Sequence, residues 1–311
     1  MQPMGGRHRV GVPRTTRNTG SWQSGCASVN VDGMATDTWF ITGVNSGFGR
    51  ELAEQLLSRG SRVAGTVRRE GSVDDLRAAH GDRFWVAHLD VTDLPRVREV
   101  IDAAFRDLGR IDVVVINAGY GLFGAAEEVS DEQMVHQIST NLLGSMQTAR
   151  AALPHLRAQG GGRLIHLSSV AGLAAHAGAS LYHASKWGCE GFMEALAQEV
   201  APFGIGVTLV EPGGARTAFA RGSLRLSEPL SAYDGTPAAF VRQFKDTAPP
   251  LLGDPAKIAA RIIDSTAQHP APMRIVLGSD SYQAVTTAVR NRLAQIEAQQ
   301  VTAAETDADA A

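Results

Sequence analysis

Short, unbroken apolar runs alternate with segments of helical periodicity along this chain, and that alternation limits the fold more than any other feature. Trp39–Thr42 precedes a helical pattern over Arg50–Ser58, Arg62–Val67 precedes Val73–Ala79, and Phe84–Leu89 precedes Pro95–Leu108. Next come an apolar run at Ile111–Ile116, a long helical region over Asp131–Ala158, Arg163–Leu167, a second long helix around Leu181–Ala201, and Gly206–Val210. A strand with one wet face alternates polar and apolar residues; Val113-Val114-Val115-Ile116 does not alternate, so both of its faces are expected to be covered. Strand then helix, repeated, predicts a parallel sheet whose right-handed crossovers lay helices on both faces. The expected fold class is α/β: one doubly wound domain spanning 37–300.

The chain has 311 residues, is 44% hydrophobic and carries a net charge of −3, enough for one large core or two modest ones. No internal linker divides 37–300, so one domain is preferred. A near-neutral balance without a basic run gives no footprint for nucleic acid, and no apolar stretch reaches the length of a membrane span. Cys26 and Cys189 are the only cysteines, too few for a disulfide framework or a zinc site, and they fit a reducing cytoplasm. Residues 1–36 are Arg-, Gly- and Ser-rich without hydrophobic periodicity and are expected to be a disordered extension, as is the small, acidic tail 301–311. Scattered Pro, Gly and Ser over 217–255, around a possible helix at Pro237–Phe244, suggest a mobile lid with an apolar lining and a basic rim. Its apolar candidates include Phe219 and Leu224, its basic ones Arg221 and Arg225.

The first apolar run leads into Thr42-Gly43-Val44-Asn45-Ser46-Gly47-Phe48-Gly49, and a helix follows at once. Strand, glycine turn, helix is the context in which backbone amides of Gly43, Asn45, Ser46, Gly47, Phe48 and Gly49 can cradle a pyrophosphate at a helix N-terminus. Dinucleotide sites often place an acid at the end of the second strand to bind ribose hydroxyls. Here Val67 ends that strand and Arg68 follows, a guanidinium suited to a 2′-phosphate, so NADP(H) is favoured, with NAD(H) possible. Asp90, with Val91, ends the third strand where it can meet the adenine.

Tyr182 and Lys186 lie four residues apart and share one helix face. An ammonium near a phenol stabilises the phenolate, which would make Tyr182 a usable proton donor near neutral pH.

Taken together these motifs resemble the short-chain dehydrogenase/reductase family over about residues 38–300. Thr42-Gly-x-x-x-Gly-x-Gly49 is similar to its cofactor loop and Asn117-Ala118-Gly119 to its signature after the fourth strand. Asn141, Ser169, Tyr182 and Lys186 stand in its catalytic order, and Ser169 precedes Tyr182 by the family's thirteen residues. Pro212, Gly213 and Thr217 match the segment that closes over the nicotinamide. The resemblance implies a single-domain Rossmann fold that interconverts a carbonyl and an alcohol by hydride transfer. Ser169 would orient the substrate oxygen and Tyr182 exchange its proton. Lys186 would tune Tyr182 and bind ribose hydroxyls, and Asn141 would hold a relay water. It also implies a homodimer or homotetramer built through the two long helices. Asn117-Ala-Gly-Tyr-Gly-Leu-Phe-Gly124 looks like the hydroxysteroid and retinol dehydrogenase branch, which suggests a medium-sized hydrophobic carbonyl compound. Tyr120 and Val170 are the substrate-pocket candidates. His176 and His183 flank that pocket and Cys189 reads as packing; no metal site is expected. The alternatives are a catalytically silent NADP(H) sensor or scaffold and, less favoured, an epimerase or dehydratase of the same fold.

Overall fold

Trp39 and Ile41 point to one side of the central sheet and Phe40 to the other, and all three are buried to 1% exposure or less. That is the arrangement demanded by a strand with no polar positions. The computed structural model describes residues 37–217, 223–245 and 251–308. Thr36–Ala311 form one compact unit; the expected extension 1–36, Phe219 and Arg221 of the lid, and 309–311 lie outside the described residues.

The strands are β1 (Thr38–Ile41), β2 (Arg62–Val67), β3 (Phe84–His88), β4 (Val113–Ile116), β5 (Gly121–Phe123), β6 (Gly162–Leu167), β7 (Ile205–Pro212), β8 (Leu224–Leu226) and β9 (Arg274–Leu277). Seven of them form one parallel sheet in the order β3-β2-β1-β4-β6-β7-β9. The order reverses between β1 and β4, so a crevice opens beyond their carboxyl ends, the usual ligand position in such sheets. The helices are α1 (Gly47–Ser58), α2 (Asp74–His80), α3 (Leu94–Leu108), α4 (Asp131–Ile138), α5 (Gly144–Ala158), α6 (Ser180–Val200), α7 (Pro255–Asp264), α8 (Ser279–Glu297) and α9 (Gln300–Ala304). On one face Phe40, Val114, Leu164 and Leu209 pack with Ile101 of α3, Leu156 of α5 and Met193 of α6. On the other, Ile41, Val115, Ile165 and Val210 pack with Leu52 and Leu56 of α1 and Ile262 of α7. Helix starts follow capping chemistry: Asp93 accepts from Arg96 N at 3.0 Å before α3, and Asp254 accepts from Ala256 N at 3.0 Å before α7.

Three elements depart from the expected pattern. The helix expected over Asp131–Ala158 is divided by a π turn at Ser139–Leu143, which carries Asn141; such turns often mark functional positions. The segment after β7 contributes β8, paired in parallel with β5, and the possible helix at Pro237–Phe244 takes the form of a 3-10 helix over Pro237–Lys245. The acidic tail holds a further helix, Gln300–Ala304, before its last residues. No helix among the described residues is long and apolar enough to cross a membrane.

Candidate active site

The sequence candidates collect at the carboxyl ends of β1, β2, β3, β4, β6 and β7, on one edge of the sheet. The β1 loop is held from below by Thr42, whose Oγ1 accepts from Asn117 N at 2.9 Å and Ala118 N at 3.0 Å. Asn117 answers with Nδ2, which donates to the carbonyls of Thr42 at 2.8 Å and Gly43 at 2.9 Å. Gly43 and Gly47 have φ of 76° and 59°, in the left-handed region that favours glycine. A Cβ on Gly49 would stand 2.1 Å from the Gly43 carbonyl oxygen, so only glycine lets α1 begin this close to the strand. Ser46, at the helix cap, makes no side-chain capping bond, and the first turn of α1 carries no acid. Exposed Asn45, half-buried Phe48 and the uncapped amides therefore form a cradle with the positive end of a helix dipole, which suits the pyrophosphate of a dinucleotide. Thr217 closes this cradle from the other side: its Cβ would lie 3.8 Å from a Cβ on Gly47. Pro212 ends β7, and Gly213 and Gly214 are pinned through Gly213 N to Leu277 O (2.9 Å) and Gly214 N to Asp280 Oδ2 (2.7 Å).

Arg68 is exposed just after β2, and no ion pair of its guanidinium is seen among the described residues. Asp90 Oδ1 accepts from Thr92 N at 2.9 Å and Thr92 Oγ1 at 2.8 Å. Burial pushes the Asp90 carboxyl up, but the two Thr92 donors and the Arg68 charge outweigh it and hold the carboxyl below its ordinary range. Val91, beside it, is buried.

Ser169 leaves β6 with extended backbone, and its Oγ accepts from Ala171 N at 3.1 Å, capping the turn Val170–Gly172. That bond uses a lone pair and leaves the O–H free to donate. Tyr182, 7% exposed, sits with Ala171 and Ala179 against Phe123, whose ring centroid is 5.7 Å away in edge-on contact. Lys186 is also buried; its Nζ lies 6.0 Å from the Tyr182 ring centroid and donates to Leu167 O at 2.7 Å. Asn141 Oδ1 accepts from Tyr120 N at 3.0 Å and its Nδ2 donates to Tyr120 O at 2.8 Å, which commits the side-chain amide to the loop after Gly119. The Asn141 carbonyl accepts from Ser145 Oγ at 2.7 Å and Cys189 Sγ at 3.2 Å. Tyr120 OH lies 2.8 Å from His136 Nδ1, and the Arg225 guanidinium stands 5.2 Å from its ring.

Of the secondary candidates, His183 and Cys189 are buried and His176 is exposed beside Phe123. His183 Nε2 accepts from His176 N at 3.1 Å, so its Nδ1 carries the proton and donates to Ala171 O at 2.9 Å; burial lowers its pKa. Burial pushes the Cys189 thiol up to about 11, as for an inert packing residue. No group of three or more His, Cys, Asp or Glu side chains among the described residues can hold a metal ion. Sequence reasoning passed over Ser168 and Glu190, which share a short buried hydrogen bond beside Ser169. In the sequence Glu190 is only an acid four residues beyond Lys186, which by itself signals nothing.

The sequence profile described as short chain dehydrogenase matches residues 37–225. Oxidoreductase BOA17 of Botryotinia fuckeliana is 35% identical over 249 residues, covering 80% of this chain and 91% of that protein. A 3-ketodihydrosphingosine reductase of Bacteroides thetaiotaomicron is 33% identical, covering 76% of this chain and 86% of that one. Among solved structures, a short-chain dehydrogenase from Streptomyces avermitilis superposes with a TM-score of 0.82 at 37% identity, covering 88% of this chain and 99% of its own. With its parallel seven-stranded sheet, its glycine cradle and this breadth of similarity, the chain belongs to the short-chain dehydrogenase family of oxidoreductases.

Proposed function

We propose that this protein interconverts a ketone or aldehyde and its alcohol, with NADP(H) as cofactor. The observation that carries the reading is the placement of the Lys186 ammonium, 6.0 Å from the Tyr182 ring and bonded to Leu167 O, two residues before Ser169. In this reading Ser169 Oγ, already oriented by Ala171 N–H, donates to the substrate oxygen. Tyr182 delivers a proton to that oxygen in reduction and removes it in oxidation. Lys186 offers a buried cation to the phenol and to ribose hydroxyls, and Asn141 fixes the Tyr120 wall. The nicotinamide supplies or accepts the hydride when bound. Arg68, which has no carboxylate partner among the described residues, offers its fork to a 2′-phosphate, and Asp90 Oδ2 remains for the adenine amino group. Asn117, Ala118 and Gly119 line the ribose side of the crevice.

Phe123 against Tyr182, with Leu226 of β8 paired to Phe123, favours a medium-sized hydrophobic substrate, with Tyr120 and Val170 on its walls; the similarity to a 3-ketodihydrosphingosine reductase agrees with this. Association as a homodimer or homotetramer is supported by exposed Met134, Val135 and Leu143 along α4 and the π turn, and sedimentation at micromolar concentration tests it.

NADPH oxidation across aldehydes, ketones, quinones and ketosteroids, with NADH and Tyr182→Phe in parallel, tests the reaction. Turnover abolished by Tyr182→Phe is expected; turnover that survives it refutes the acid/base assignment. Arg68→Ala is expected to weaken NADPH binding about tenfold more than NADH binding, and equal effects would refute the cofactor preference.

A further inference from the structure

Tyr182, Lys186 and Glu190 follow one another at four-residue intervals on one face of α6. Glu190 has no part in the chemistry above, yet it is only 4% exposed. Its Oε1 accepts a short hydrogen bond from Ser168 Oγ, and its Oε2 pairs with Arg274 Nη2 of β9 at 3.1 Å. One turn earlier Lys186 Nζ holds Leu167 O at 2.7 Å. Helix α6 thus grips two consecutive residues at the end of β6, and the next residue is Ser169. A Cβ on Gly172 would stand 2.6 Å from Ser168 Oγ and 2.7 Å from Glu190 Oε1, so the bond runs directly beneath the turn that Ser169 caps.

We infer that Glu190 is a positioning residue for Ser169: through Ser168 it sets the register of the β6 end against α6, and so the place of the Ser169 hydroxyl relative to Tyr182. The inference rests on the reading of Ser169 and Tyr182 as the pair that meets the substrate oxygen. A carboxylate suits this role because it accepts from Ser168 and Arg274 at once. An amide that accepted from Ser168 would turn its own N–H groups toward the guanidinium. Arg274 in turn is anchored by Glu194 of α6 and lies 3.0 Å from Glu211 Oε1 of β7, which fixes the carboxylate from three elements.

The test compares wild type, Ser168→Ala, Glu199→Gln and Tyr182→Phe in NADPH-dependent carbonyl reduction, with hydrogen exchange of the same full-length proteins. Ser168→Ala is expected to lower kcat about tenfold with KM and NADPH Kd within about twofold, and to speed exchange of the Ala171 and Gly172 amides about tenfold. Glu199→Gln, at an exposed acid of the same helix that touches neither Arg274 nor Ser168, is expected to leave both unchanged. A merely structural tie would lower the melting temperature and leave kcat alone. If Tyr182→Phe is inactive while Ser168→Ala keeps wild-type kcat or wild-type exchange, the inference falls and the reaction stands. Turnover that survives Tyr182→Phe overturns the reaction and the inference together.

Discussion

Asn141 holds both main-chain groups of Tyr120, accepting from its N–H at 3.0 Å and donating to its carbonyl at 2.8 Å. The π turn makes this possible by placing a fully buried amide where a regular helix would present a different face. Gln137 Nε2 also donates to the Tyr120 carbonyl, at 3.2 Å, so that oxygen has a second partner while the N–H has none. Asn141→Ala is therefore expected to cost about 1–3 kcal/mol, the penalty of one orphaned buried donor. Urea denaturation measures it, and wild-type stability would show that the loop rearranges freely.

Gly49→Ala should act on the glycine cradle proposed to hold the dinucleotide. The added methyl would stand 2.1 Å from Gly43 O and 2.6 Å from Asn117 Nδ2, and no rotamer change relieves contact with a carbonyl. Displacing the loop breaks the Asn117 bonds that shape it. The expected result is at least about tenfold weaker dinucleotide binding and about 1–3 kcal/mol lower stability, read by NADPH fluorescence titration and thermal melting. Unchanged affinity would mean that α1 can retreat without opening the cradle.

The sheet was legible because burial on both faces leaves an unmistakable pattern: β2 spans Arg62–Val67 as expected, and β4 is apolar throughout. The glycine turn before α1 and the shared helix face of Tyr182 and Lys186 were legible because their spacing follows from local geometry. Illegible parts depend on distant partners. The π turn at Asn141 is stabilised by Tyr120, twenty-one residues away, and the β5–β8 pairing joins segments with no strand-like length of their own. Glu190 looked like any acid on an amphipathic helix, since its partners Ser168 and Arg274 lie on other elements.

The segment after β7, expected to be a lid, is latched by one carboxylate. Glu128, with its side chain 1% exposed, accepts from Ala125 N at 2.7 Å and Leu230 N at 3.0 Å and pairs closely with Arg242, which also binds Asp234 at 2.6 Å. Burial raises its pKa, but these donors outweigh burial and hold it below the ordinary 4.5. The latch is thus intact above that value and is lost as pH falls through the lower, folded-state pKa. Glu128→Gln is expected to increase protease cleavage within 223–245 about tenfold at pH 7 and to raise KM more than it lowers kcat. Cleavage equal to wild type would place the hold on the lid elsewhere.

Glu211 makes stability depend on pH near neutrality. It is fully buried on β7, its carboxylate oxygens have no hydrogen-bond donor among the described residues, and the Arg274 guanidinium 3.0 Å away is shared with Glu190 and Glu194. Burial first, and the neighbouring Glu190 charge second, raise its pKa from 4.5 to about 7. A carboxyl raised in the folded state contributes stability that is fully present below 4.5 and lost as pH rises through about 7, because the folded chain holds a proton that the unfolded chain has released. Glu211→Gln keeps the neutral form at every pH and leaves Arg274 paired with two carboxylates. It is expected to be near wild type at pH 5 and more stable by ~2 kcal/mol at pH 8. Comparing melts of the two proteins at each pH cancels the contribution of buried His166, whose pKa burial lowers in both. A stability difference that does not change between the two pH values would mean that Glu211 is ionised throughout and that Arg274 alone sustains its charge.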